Sequence, residues 1–167
     1  MEVNTVEQAW EMYEKAILAS LKPHSQRTEK GRWINYIKPI IGDKQIAELT
    51  TFDYLMLRRE LEQRALSPRT VHHCLSLLRR VLNRAEEWCN FEKPLPKFRR
   101  VMPKFDNKRI RFLTIDEVQI LIKSIDSLDK TGYWNDIVMF SLNTGLRSGE
   151  IFNLKRDHVS LDKKFFC

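Results

Sequence analysis

Arg147 is the residue of this chain best placed to do chemistry, because Thr144-Gly145-Leu146-Arg147-Ser148-Gly149-Glu150-Ile151 puts it where a loop turns into a helix. A guanidinium is a planar fork whose N–H donors match two phosphate oxygens at once. Glycine accepts the left-handed backbone that ends a helix, so Gly145 predicts the stop of the apolar run before it. Ser148 to Leu154 can then start a new helix, whose first amides are free donors with a partial positive charge. Glu150, three residues after Arg147, can pair with it and fix its direction. The octapeptide alone leaves two readings open: a phosphate clamp, or a surface arginine in an ordinary i,i+3 ion pair worth about 0.3 kcal/mol.

The elements before the turn must deliver that arginine. Thr114-Ile115-Asp116-Glu117 reads as a capping box, and Val118, Leu121, Ile122 and Ile125 follow at helical spacing. A second helix, from about Trp134 to Asn143, leads into the turn. Beyond it, Asp157 to Leu161 and Lys163 to Cys167 alternate or cluster like the first strands of a sheet. A two-stranded hairpin is marginal by itself, so an incomplete domain is expected over residues 112–167.

Upstream, residues 1–92 show four amphipathic helical patterns. Thr5 with Gln8 makes a capping box ahead of Val6, Ala9, Trp10, Tyr13, Ala16 and Ile17. The second pattern is expected to start at Ser25, to carry Trp33 and Ile37 inward with Arg27, Lys30 and Arg32 outward, and to close at Pro39 and Gly42. Thr50 and Asp53 mark the third start, with Tyr54, Leu57 and Leu61 as its apolar stripe. Ser67 caps the fourth, Pro68 suits its first position, and Val71, Leu75, Leu78, Leu82, Ala85 and Cys89 predict a helix from Pro68 to about Asn90. Its other side groups Arg69, Thr70, His72, His73, Ser76, Arg79 and Arg80. A face of that kind fits a DNA groove, whereas any one of its residues alone reads as ordinary solvated surface.

Composition narrows the partners. The chain has 167 residues, 43% of them hydrophobic, enough for real cores in one or two small domains. It carries a net charge of +7, and the excess is local: residues 93–111 hold eight basic residues against one acidic, while both flanks are close to balanced. That segment includes Lys97, Arg99, Arg100, Lys104 and Arg109 together with Pro94, Pro96 and Pro103, and it reads as an extended basic linker between two domains. Such a segment attracts a polyanion. Cys74, Cys89 and Cys167 have no C-x-x-C spacing, so neither a disulfide framework nor a zinc site is suggested, and buried or idle thiols are expected. No apolar run approaches the roughly 20 residues of a membrane span, and Met1 to Thr5 has no signal-peptide character, so a soluble cytoplasmic protein is expected.

With these pieces in order, the chain resembles the tyrosine recombinases, the phage-type integrases. Leu66-Ser67-Pro68-Arg69-Thr70-Val71, followed by Leu75, Leu78-Arg79-Arg80, Asn83, Ala85 and Trp88, is similar to the last long helix of the family's core-binding domain. Arg111-Phe112-Leu113-Thr114 resembles the entrance of its catalytic domain, and the arginine octapeptide with Leu154 and Asp157 resembles its first-arginine motif. The resemblance implies a mainly α chain. A four-helix SAM-like core-binding bundle (1–92) and a basic linker (93–111) precede the mostly helical start of an α+β catalytic domain (112–167).

It further implies a clamp on double-stranded DNA and cleavage through a 3'-phosphotyrosine, with neither metal nor other cofactor. Arg147 would hold non-bridging phosphate oxygens and Glu150 would support it. Arg27, Arg32, Arg69, Thr70, His73, Arg80, Lys97, Arg99, Arg100, Lys104 and Arg109 are the candidate DNA contacts. The family's later lysine, second arginine, histidine and tyrosine all lie beyond the first-arginine motif, and none is found in this chain. Tyr13, Tyr36, Tyr54 and Tyr133 all precede it, so no nucleophile is assigned and the chain alone is expected to be inactive and monomeric, within a parent that is tetrameric on DNA. A non-catalytic DNA-binding regulator or excision-type accessory protein is the alternative, and a helical protein-interaction module is a third reading.

Overall fold

The computed structural model describes residues 3–89, 91, 94–98, 100–106, 111–160 and 165–166. The chain is mainly helical and divides into two compact units, Met1–Asn107 and Lys108–Cys167. Among the described residues no helix is long and apolar enough to cross a membrane.

In the N-terminal unit, Thr5 caps α1 (Val6–Ala16) through the expected reciprocal box, its Oγ1 accepting from the Gln8 amide at 3.2 Å and its own amide donating to Gln8 Oε1 at 3.2 Å. The next two amides of α1 are taken by a distant turn, Val6 donating to the Lys44 carbonyl and Glu7 to the Gly42 carbonyl. Gly42 is needed there for space, since a Cβ would lie 2.7 Å from the Lys38 carbonyl oxygen.

Helix α2 (Pro23–Arg32) starts two residues earlier than expected, because Pro23 occupies its first turn, where a missing N–H costs nothing. Pro39 does not stop the helical run, which closes at Gly42 as expected. A π-helical segment, Trp33–Ile37, carries the chain into α3 (Lys38–Ile41). Proline has no amide to give the Asn35 carbonyl, and Arg64 Nη1 donates to that oxygen instead, at 3.2 Å. Helix α4 (Thr51–Gln63) is capped by Thr50 and Asp53, and α5 (Pro68–Trp88) by Ser67.

α5 is the spine of this unit, packing against both α1 and α4. It buries Val71, Cys74, Leu75, Leu77, Leu78, Val81, Leu82 and Ala85 almost completely. Trp10 of α1 stacks on Trp33 with ring centroids 4.8 Å apart. Cys74 is buried, and burial pushes its thiol up to about 11, so it is packing and not reactivity. Cys167 lies outside the described residues.

The basic segment departs from the expected tether. Phe98 and Val101 belong to the core, at 5% and 0% exposure, so the unit runs to Asn107 and not to residue 92. The segment's described residues between Leu95 and Phe105 form a strap on α4 and α5, because two apolar side chains gain more by burial than an extended linker gains in freedom.

The C-terminal unit contains α6 (Ile115–Leu128), capped by the expected Thr114–Glu117 box, α7 (Tyr133–Thr144) and α8 (Ser148–Phe152). Arg156–His158 forms a 3-10 turn where a strand was expected to begin. Among the described residues the strands are β1 (Val159–Ser160) and β2 (Phe165–Phe166), antiparallel with Val159 opposite Phe166. None of the described residues for which burial is defined in this unit is buried.

Candidate functional site

The arginine turn is built as its glycine predicts. Gly145 takes φ +69°, ends α7, and donates its amide to the Ser141 carbonyl at 2.8 Å. Arg147 is the N-cap of α8, with extended backbone at φ −74° and ψ 152°. Glu150 folds back on it: the Arg147 amide donates to Glu150 Oε2 at 2.8 Å, and Arg147 Nη1 donates to Oε1 at 3.3 Å. The backbone amide, then the guanidinium, hold the Glu150 carboxyl below the usual range. Arg147 stays 86% exposed, which leaves its remaining donors facing outward. The helix behind it ends at Phe152, two residues before the expected Leu154, and spans only Ser148–Phe152, so whatever grip the turn has comes from the guanidinium and not from a long helix dipole.

The second group lies on the N-terminal unit. Arg69, His72, His73, Ser76 and Arg80 follow one side of α5 at helical spacing, and Arg32 approaches His73 from the end of α2. His73 is half-buried; burial, then the charges of Arg32, Arg69, His72 and Arg80, lower its pKa. Arg27 and Arg69 are exposed. Thr70 serves the cap of α5, its hydroxyl 2.8 Å from Ser67 Oγ and its amide donating to the same oxygen.

Arg80 has a structural partner that sequence reasoning missed. Glu29 is the buried acid among the described residues of this unit, 6% exposed, and its carboxylate accepts from Arg80 Nη2 at 2.7 Å and from the Tyr13 hydroxyl at 3.1 Å. The two oxygens therefore each have a donor, which is what keeps a buried carboxylate tolerable. Arg80 is half-exposed at 48% of its side chain, so it serves the fold and still shows part of its fork.

Lys97, Arg100 and Lys104 are exposed along the strap; Arg99 and Arg109 lie outside the described residues. The strap runs back along α5. The Leu95 amide donates to Glu86 Oε1 at 2.9 Å, Phe98 stacks on Tyr54 at 3.9 Å, Arg58 Nη1 donates to the Val101 carbonyl at 3.2 Å, and Phe105 meets His72 edge-on at 5.4 Å. The Phe105 contact thereby brings the strap to His72, near the start of α5.

Tyr13 and Tyr54 are buried, Tyr36 is half-buried, and Tyr133 is exposed at the start of α7, where it packs edge-on against Trp134. Among the described residues no group of three or more His, Cys, Asp or Glu could hold a metal ion. No protein-family model matches the chain, and neither a curated protein nor a solved structure matches it.

Proposed function

We propose that this chain is the DNA-binding N-terminal portion of a site-specific tyrosine recombinase, an integrase acting in DNA integration and recombination. Residues 1–107 grip double-stranded DNA as a SAM-like core-binding bundle, and Arg147, steadied by Glu150, is one phosphate-binding arginine of a catalytic centre whose nucleophile is not among these residues. The observation that carries the reading is the convergence of two basic rows on one unit. Arg69 and half-exposed Arg80 on α5 with Arg32 make one, with His73 among them; Lys97, Arg100 and Lys104 on the strap make the other, and the arginines and lysines carry the charge. Cations at that density neutralise successive phosphates and release counterions, which makes affinity fall with salt. In this reading the chain alone is a cytoplasmic monomer that needs no cofactor.

Titrating a mixed-sequence DNA duplex with the full chain at rising salt tests it. Log affinity is expected to fall linearly with log salt, by roughly 0.9 per phosphate neutralised. No binding at low salt, or binding indifferent to salt, would contradict the reading. A suicide substrate should trap no covalent adduct, since Tyr13, Tyr36, Tyr54 and Tyr133 all precede the arginine motif, where this reading has no nucleophile.

The exposure of Arg147 favours one other reading, a non-catalytic DNA-binding regulator or excision-type accessory protein in which the arginine turn is only structural. The gene sequence following Cys167 separates the two. A second arginine motif with a tyrosine supports the recombinase, and a stop codon supports the regulator.

A further inference from the structure

The strap alternates two kinds of residue. Lys97, Arg100 and Lys104 are exposed, while Phe98, Val101 and Pro103 between them are buried. A free tether would carry the same charge, but every residue fixed on meeting DNA would cost conformational entropy at that moment. Here the ordering is already done. Phe98 lies nearly parallel to Tyr54, at an interplanar angle of 14°, and Val101 has no exposed surface at all. Each cation is within three residues of an anchor: Lys97 directly precedes Phe98, Arg100 directly precedes Val101, and Lys104 precedes Phe105, whose ring meets His72.

We propose that Phe98 and Val101 are positioning residues for nucleic-acid binding, apolar anchors that touch no phosphate themselves and hold Lys97, Arg100 and Lys104 in a fixed row beside α5. The proposal rests on the DNA reading above and deepens it: part of the affinity of a basic segment resides in two uncharged side chains. Neutralising the cations and releasing the anchors should therefore not be additive, because both remove the same contacts.

The test uses the full chain and a mixed-sequence DNA duplex. Phe98→Ala keeps every charge and is expected to weaken binding about tenfold, as an unfastened strap must be ordered on binding. Phe98→Leu, which retains an apolar anchor, should recover most of that loss. In a Lys97→Ser, Arg100→Ser, Lys104→Ser background, Phe98→Ala should cost no further affinity. Val101→Ala, a milder change, should weaken binding by about threefold with helix content unchanged, which covers the case in which Phe98→Ala unfolds the unit.

Two results would overturn the proposal: Phe98→Ala binding as tightly as the parent, or losing the same factor in both backgrounds, as general destabilisation would. If the parent chain itself shows no salt-dependent binding, the DNA reading fails and the proposal falls with it. That outcome is distinct from a parent that binds and a Phe98→Ala variant that binds equally well.

Discussion

Helices α5 and α6 are both amphipathic and both capped at their first residue, by Ser67 and by Thr114, yet α5 buries eight residues and α6 buries none. In the N-terminal unit, α1, α4, the π segment and the strap surround α5 and leave its apolar side dry. In the C-terminal unit, α6 and α7 meet each other, while Ile115 (79%), Leu128 (88%) and Phe112 (84%) remain largely open to water. Capping and periodicity specify that a helix forms; burial depends on how many other elements are there to receive its stripe. The difference separates the two candidate sites as well. The basic rows of residues 1–107 sit on a packed scaffold, whereas Arg147 sits on an exposed turn tied within itself, by Ser141 and Thr144 on one side and Glu150 on the other.

The contrast can be broken most directly in the cores. Leu78→Ala should destabilise the N-terminal unit by about 3 kcal/mol in urea denaturation, the usual cost of a cavity in a well-packed site. Leu121→Ala, at a position 36% exposed, should cost under about 1 kcal/mol. Equal losses at the two positions would erase the distinction.

The next largest effect separates two arginines on the same helix. Arg80→Ala strands the buried Glu29 carboxylate and should lower stability by roughly 2 kcal/mol, reduced from the fully buried case because Arg80 is half in solvent. Arg69→Ala, exposed on the same side, should change stability by under about 0.5 kcal/mol. If thermal melts put the two variants together, Glu29 does not depend on Arg80.

A smaller effect sharpens the comparison from the stabilising side. Ala65, just past α4, has φ +55°, a left-handed conformation that penalises a Cβ. Ala65→Gly should raise the stability of the N-terminal unit by about 0.5 to 1 kcal/mol, measured by denaturation.

The smallest effect lies in the other unit. The carboxyl of Glu150 is held below its usual range by the Arg147 amide and guanidinium, so the cap of α8 is present above the ordinary carboxylate pKa and is lost as pH falls through the lowered value. Carboxyl chemical shifts followed through an acid titration should show Glu150 titrating below the other exposed glutamates. A normal titration would mean that the cap does not form.

What could be read from the sequence was local. The Thr5–Gln8 and Thr114–Glu117 boxes, the Ser67 cap and the glycine stop at Gly145 each involve residues within a few positions of one another, and their chemistry is complete in the sequence. Glu29 could not be read that way. Its helix, α2, has no apolar stripe to give an inward direction, and its partners Tyr13 and Arg80 lie 16 and 51 residues away. The strap misled for a related reason: prolines and cations describe an extended chain but not what it lies against, and only Phe98 and Val101 hinted at burial. At Pro39 the stop expected from a missing amide was cancelled by Arg64, 25 positions on, which satisfies the carbonyl that proline left open. The arginine turn itself was legible down to its ion pair, but the length of the helix behind it was not.

The central claim is that residues on the N-terminal unit, and not the arginine turn, supply the affinity for DNA. It is tested most directly by measuring the salt slope of duplex binding for the full chain, for an Arg32→Ala, Arg69→Ala, Lys104→Ala variant, and for Arg147→Ala. The triple variant is expected to lower the slope by roughly 0.9 per cation removed, while Arg147→Ala should change it by less than about one contact. A triple variant that keeps the parent slope, or an Arg147→Ala variant that abolishes binding, would contradict the account.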